Sequence, residues 1–382
     1  MNEIELTKSL ISYQSVTPNT DGVLDFLENE LSKIGFKCNR YKFSDNNTPD
    51  VDNLYAKFGE EKPNFCFGGH TDVVPIGDNS AWSFNPFEGR VNDEKLYGRG
   101  SSDMKSAIAA FVCASKDFID NNEFKGSISM LITNDEEGPA INGTKKVLEK
   151  IYSEGEEIDS CLVGEPTSPK NIGEMIKIGR RGSLIAKINI IGKQGHVAYP
   201  EWNLNPIDPL NKIIYELNSM QLDNGSNSFP PSNIEFVNIA SSEGASNVVP
   251  NTAKAQLNIR FNTDHTSKSL QETINAVIQK HTKNPYYQAN VEYYCTAEPF
   301  LTQVGKFTDI IKSSVDKITG IDSQYSTTGG TSDARFFKDY CEVVEFGLVG
   351  ESAHQIDEHV KIEDISKLKR IYNTILENYF KV

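Results

Sequence analysis

Phe65-Cys66-Phe67-Gly68-Gly69-His70-Thr71-Asp72 is an apolar run that ends on two glycines, a histidine and an acid. The plan recurs twice downstream. Ile128-Ser129-Met130-Leu131-Ile132-Thr133 runs into Asn134-Asp135-Glu136-Glu137-Gly138, and Cys161-Leu162-Val163 runs into Gly164-Glu165-Pro166. Short apolar runs of this kind read as strands buried on both faces, hence as a parallel or mixed sheet covered by helices. In such sheets ligands bind beyond the carboxyl ends of the strands. One histidine and several carboxylates, each delivered by a different strand end, would converge there. That set suits a metal ion, and hydrolysis is the chemistry it most readily supports.

The flanking sequence supplies the helices. Val23, Phe26, Leu27, Leu31 and Ile34 follow helical spacing, and Gly35 closes the run. A second amphipathic helix is expected from Met104 to Ile119, after Asp103. Helices and strands alternate to about residue 178, and then the pattern changes. A long strand (Ser183 to Ile191), a helix (about 205–220) and a polar loop (222–232) follow. Two strands (about 233–240 and 252–262), a helix (about 267–282) and a strand (about 289–295) come next. After Pro299 the βα pattern resumes and ends in a helix from Ile362 to Phe380. The expected architecture is an α/β catalytic domain, residues 1–179 and 296–382, split by an inserted α+β domain, residues 180–295. The Gly179-Arg180-Arg181-Gly182 and Thr296-Ala297-Glu298-Pro299 junctions could act as hinges.

The 382 residues exceed one comfortable hydrophobic core, which agrees with two domains. No run of about 18 apolar residues occurs, so no transmembrane helix is expected. The opening Met1-Asn2-Glu3-Ile4-Glu5 is acidic where a signal peptide needs positive charge. Six cysteines without a C-x-x-C pair fit reduced thiols, so a cytoplasmic protein is expected. The net charge of −15 argues against nucleic acid and anionic membrane as partners. An anionic substrate would need local arginines, and Arg180 and Arg260 offer bidentate grips. Arg181 could add a third or be structural. The Gly329-Gly330-Thr331 loop could present backbone N–H groups to a carboxylate.

Singly, these acids read as surface charges, Asp103 as a helix N-cap and His354 as a surface histidine. The joint pattern says more. Glu136 and Glu137 are neighbours on extended backbone and point apart, so one could ligate a metal while the other reaches its water. His70 and Asp72 point the same way, so the Asp72 carboxylate could orient the His70 imidazole.

The runs His70-Thr71-Asp72-Val73-Val74-Pro75, Gly98-Arg99-Gly100-Ser101-Ser102-Asp103-Met104-Lys105, Asp135-Glu136-Glu137-Gly138 and Gly164-Glu165-Pro166-Thr167 resemble the co-catalytic zinc aminoacylase/carboxypeptidase family of metallopeptidases. They fall in that family's order and spacing, and the resemblance covers the whole chain. It implies a zinc-peptidase-like catalytic domain, a mixed sheet flanked by helices, with the insert as lid and dimerisation domain. Further runs narrow the likeness: Arg180-Arg181-Gly182-Ser183, Gly195-His196-Val197-Ala198-Tyr199-Pro200, Ser246-Asn247-Val248-Val249-Pro250, Glu298-Pro299-Phe300-Leu301-Thr302 and Gly329-Gly330-Thr331-Ser332-Asp333-Ala334-Arg335-Phe336. They resemble members that release succinate from N-succinyl-LL-2,6-diaminopimelate. Acetylornithine deacetylases, other N-acyl-amino-acid amidohydrolases and small-peptide exopeptidases share the metal core and stand as the alternative. Ser246 replaces an expected asparagine, and the segment Gly347 to Ala353 is one residue short.

The resemblance implies two Zn2+ ions, replaceable by Co2+. His70 and Glu165 would ligate one and Glu137 and His354 the other, with Asp103 bridging both. Glu136 would be the general base. His196, from the partner subunit of a homodimer, would meet the oxyanion. Tyr199, Asn247, Gly330 and Thr331 would join Arg180 and Arg260 in holding a small acyl-amino-acid substrate. The Asp103–Met104 peptide is expected to be cis.

Overall fold

The computed structural model describes every residue except Asn46 and Glu243. Two compact units emerge. One comprises Met1–Ile178, Thr302–Ser326 and Ser332–Val382; the other comprises Gly179–Leu301 with Thr327–Thr331. The insert, expected at 180–295, thus takes in the following turn and a short loop that comes after it in sequence.

The first unit is built on an eight-stranded mixed sheet. In spatial order its strands are Lys37–Asp45, Thr48–Phe58, Ser127–Thr133, Asn64–His70, Ser160–Val163, Glu342–Glu345, Met175–Lys177 and Gln324–Ser326. The four central strands, from Ser127–Thr133 to Glu342–Glu345, run parallel. Asn64–His70 and Ser127–Thr133 are buried at every position, as their unbroken apolar runs require. Phe67 stacks on Phe111 of helix Ser106–Asn121 at 4.3 Å and meets Tyr372 of helix Ile362–Phe380 edge-on at 5.7 Å. Helix Val23–Ile34 ends on Gly35 in the left-handed conformation, as expected.

Two features depart from the expected pattern. Lys37–Asp45 and Thr48–Phe58 form an antiparallel hairpin where alternating helices and strands were expected. The long helix begins at Ser106, because Asp103 (φ −126°, ψ 95°) and Met104 (φ −135°, ψ 30°) are non-helical. Asp103 is therefore not an N-cap, and its peptide bond to Met104 is cis.

The second unit is a four-stranded antiparallel sheet in the order Asn233–Ser241, Thr252–Phe261, Gly182–Ile191, Gln288–Ala297. Helices Ile207–Asn218 and Ser267–His281 cover one face through Leu210, Ile213, Leu217, Leu270, Ile274 and Ile278. Val237 and Ile239 on the edge strand are exposed. Among the described residues no helix is long and apolar enough to cross a membrane. The six cysteines are free; Cys66, Cys113 and Cys161 are buried, whereas Cys295 is exposed.

Candidate metal centre

The carboxyl ends of the parallel strands carry the predicted ligands to one place. His70 is the last residue of its strand, Glu136 and Glu137 follow Ser127–Thr133, and Glu165 follows Ser160–Val163. His354, at φ 63°, sits in a turn after Glu342–Glu345. The Nε2 atom of His70 lies 3.2 Å from Oδ1 of Asp103 and 3.6 Å from Oε1 of Glu165. The Nε2 atom of His354 lies 3.2 Å from Oδ2 of Asp103 and 2.7 Å from Oε1 of Glu137. One Asp103 oxygen thus faces each histidine. Three groups have donor atoms within 4.8 Å of one another: His70–Asp103–Glu165 and Asp103–Glu137–His354, which share Asp103, and His70–Glu136–Glu137.

This spacing fits metal ions. Donors about 2.0–2.1 Å from zinc at tetrahedral angles lie about 3.3 Å apart. Three of the four separations fall within a few tenths of that value. Imidazole with carboxylate suits zinc and neighbouring divalent metals. Each set supplies three protein donors, the number a catalytic site uses when it leaves a position open.

Asp72 acts differently from the expectation. The imidazole Nδ1 of His70 is 2.9 Å from the Asp72 main-chain oxygen. A carbonyl only accepts, so Nδ1 carries a proton, which leaves Nε2 as the nitrogen turned toward Asp103 and Glu165 and the one a metal would take. The Asp72 carboxylate, 3.6 Å from Nδ1, instead accepts the N–H groups of Glu136 at 3.3 Å and Glu137 at 3.0 Å. It fixes the turn that carries the candidate base and a candidate ligand.

The electrostatics are those of a site awaiting cations. Burial raises Glu136 well above the ordinary carboxyl range, against the pull of His70 and with the help of Asp333, Glu137 and Asp103. Burial raises Glu165 in the same way, reinforced by Asp103. Asp103 is pulled down despite burial, by hydrogen bonds to His354 and His70. Those bonds raise His354 to about 10, through Asp103 and Glu137. Burial opposes the charge on His70, but Asp103 and Glu165 outweigh it and raise this group well above 6.5. The protons stand where cations would neutralise the carboxylates.

The predicted substrate residues all lie in the second unit. Arg180 is buried, and its Nη1 donates to the carbonyls of Gly330 at 3.1 Å and Thr328 at 3.4 Å. Gly329, at φ 111°, allows that approach, since a Cβ there would stand 2.4 Å from Nη1. Arg180 therefore holds the 327–331 loop, whereas a direct grip on a substrate carboxylate was expected. Arg260 is half-buried, and burial and the charge of Arg181 both lower its pKa. Arg181 donates from Nη1 to Asn233 at 2.9 Å, and its buried Nε has no partner. His196 is exposed and its Nδ1 accepts the Ala198 N–H at 3.1 Å. Tyr199 and Asn247 are exposed, as is Gly330, and Thr331 is half-buried.

Sequence reasoning missed two groups at the centre. Arg99 and Glu358 are both buried and pair at 2.7 Å directly behind Asp103. The Gly98-Arg99-Gly100 bracket was the available signal of close backbone packing.

The chain belongs to peptidase family M20/M25/M40, whose profile matches residues 66–378. It is 50% identical over 380 residues to a succinyl-diaminopimelate desuccinylase of Pelagibacter ubique, covering 99% of both chains. A succinyl-diaminopimelate desuccinylase of Beijerinckia indica is 48% identical, over 99% of this chain and 98% of its own. Among solved structures, an M20 family metallo-carboxypeptidase of Sulfolobus solfataricus superimposes with a TM-score of 0.80 at 19% identity, over all of both chains. A dinuclear metal-binding M20 peptidase of Bacillus subtilis gives 0.74 at 15% identity, over 99% of this chain and 98% of that one. These distant likenesses speak for the fold, a mixed α/β sheet flanked by helices.

Proposed function

We propose that the chain is a dinuclear amidohydrolase that cleaves N-succinyl-LL-2,6-diaminopimelate to succinate and LL-2,6-diaminopimelate, a step of lysine biosynthesis. The observation that carries this reading is the pair of donor sets sharing Asp103, with Glu136 on the turn beside them. Full-length relatives at 48–50% identity bear the name of that activity.

His70 and Glu165 would hold one zinc, Glu137 and His354 the other, and Asp103 would serve both, with Co2+ able to substitute. Bound there, two such ions would supply polarisation of the scissile amide carbonyl and acidification of the attacking water. Glu136, on the turn beside the donor sets, would accept the proton of that water and later deliver it to the leaving nitrogen. Asp72 keeps Glu136 and Glu137 in register through their backbone N–H groups. Arg260 and Arg181 bring two positive charges together with a buried donor to spare, which suits a substrate rich in carboxylates. Arg180 supports the loop whose Gly330 and Thr331 N–H groups reach a substrate carboxylate. Tyr199 and Asn247 add polar contacts. His196 donates to the oxyanion from the partner subunit of a homodimer built on the inserted unit, whose edge strand exposes Val237 and Ile239. The protein works in the cytoplasm.

The test is a zinc-loaded panel of N-succinyl-LL-2,6-diaminopimelate, N-acetylornithine and a dipeptide. The succinyl substrate should show the largest kcat/KM. A larger value for N-acetylornithine would move the chain to the deacetylase alternative.

A further inference from the structure

Behind the bridging aspartate lies a carboxylate that the reaction does not consume. Glu358 is fully buried. Its Oε2 accepts from Nη1 of Arg99 at 2.7 Å and from the N–H of Gly100 at 3.1 Å. Its Oε1 accepts from the N–H of Ser102 at 2.9 Å and of Asp103 at 3.1 Å. Gly100 is left-handed, at φ 84° and ψ 4°, and a Cβ there would stand 2.7 Å from Val73 Cγ1. Backbone N–H groups turned inward around such a residue form a concavity that takes an anion. Here the chain supplies its own anion. The ion pair with Arg99 alone would not require those three amides. They converge because the segment that carries Asp103 is wrapped around the carboxylate.

The other side of the grip matters equally. Glu358 lies four residues after His354. Arg99 ties the intervening segment down by donating to the Gln355 carbonyl at 3.1 Å. The Gly98 N–H donates to the Glu358 carbonyl at 2.9 Å, and the Ser102 hydroxyl donates to the Val349 carbonyl at 2.8 Å. One buried side chain therefore joins the turn that presents Asp103 to the turn that presents His354, two residues whose donor atoms must stay near 3.2 Å.

We propose that Glu358 is a positioning residue for the dinuclear centre: it sets the backbone that places the Asp103 carboxylate between the two metals and holds it in register with His354. The proposal rests on the two-metal reading above. It assigns Glu358 no contact with metal or substrate. Its effect must therefore appear first in metal binding and only through that in turnover.

The experiment uses full-length protein stripped with EDTA and titrated calorimetrically with Zn2+, and separately with Co2+ while its visible absorption is recorded. Glu358→Gln keeps the shape but presents an NH2 group to one of the converging amides. Glu358→Asp keeps the charge and the Arg99 pair but withdraws the oxygens by one methylene. The parent should bind two equivalents. Each folded variant, judged by circular dichroism, should bind at least one equivalent about 10–100-fold more weakly, the usual cost of removing a group that orients a ligand. Its cobalt absorption should shift as the geometry relaxes. Two equivalents at parental affinity with an unaltered cobalt spectrum, in either folded variant, would overturn the proposal. Failure of both variants to fold would also overturn it, by making the role purely structural. A parent that takes up fewer than two metals would instead overturn the dinuclear reading itself.

Discussion

Asp72→Asn is expected to make the metal-free protein more stable and the enzyme worse. Asp72 is fully buried, and burial raises its pKa from 3.8 to about 7, against the pull of His70 and of the Glu137 and Glu136 amides. That displacement is worth roughly 4 kcal/mol. An acid whose folded pKa lies above its unfolded one costs stability as pH climbs from about 4 to about 7, and the full cost remains above that range. Asp72→Asn cannot ionise and escapes the cost. Its NH2 group, however, faces one of the two peptide N–H groups that the carboxylate accepts, which takes back about 1–3 kcal/mol. In urea unfolding of EDTA-treated protein, the variant should match the parent at about pH 5 and exceed it by about 1–3 kcal/mol at about pH 8. With metals bound, the turn carrying Glu136 and Glu137 loses one of its two anchors, and kcat should fall about 10–100-fold. Undiminished kcat would sink the positioning role of Asp72. A metal-free variant less stable than its parent at about pH 8 would show that the buried charge carries no such cost.

Glu136→Gln should keep both metals by calorimetry and lose about 10²–10⁴-fold in kcat, as expected for a missing proton acceptor; near-parental turnover would refute the assignment. His354 and His70 must shed protons to bind metal, so zinc affinity should rise between about pH 6 and about pH 9 with proton release, measured in buffers of different ionisation enthalpy. A flat profile would show that the histidines are not ligands. In the metal-free protein the His354 contribution to stability is present in full below about pH 6.5 and fades as pH passes about 10. Mixing His196→Ala with Glu136→Gln subunits should restore a sizeable fraction of activity through heterodimers that hold one intact base and one intact partner histidine. No recovery in verified heterodimers would confine His196 to its own chain or remove it from catalysis.

The sheet was legible because its central strands are buried on both faces. Nothing but an apolar run satisfies that environment, so Phe65–Phe67 and Ile128–Ile132 declare themselves. The hairpin was not legible. Its first strand, Lys37–Asp45, has no fully buried position and carries Arg40 and Lys42, which form surface ion pairs, so no apolar pattern marks it. Asp103 and His354 were named only through the family resemblance, whereas the candidate ligands His70, Glu137 and Glu165 could be placed because each ends a legible strand. The partners that orient them could not. Glu358 bonds residues 255–259 positions away, and Arg180 bonds carbonyls 148 and 150 positions away. Asp72 was read through its side chain, whereas its carbonyl makes the bond to His70. Main-chain acceptors are common to all residues, so sequence cannot single one out.

The separation of the donors along the chain has a consequence for biosynthesis. A chain emerging from the ribosome acquires His70, Asp103 and Glu165 early, and that donor set is complete before half the protein has been made. The second set waits for His354, which follows the whole inserted unit in sequence. On the two-metal reading, the second site therefore forms only after the chain has been made past His354. On that reading, a chain cut short before His354 could hold one ion at most, and a full pair of metals would report that distant parts of the polypeptide have met.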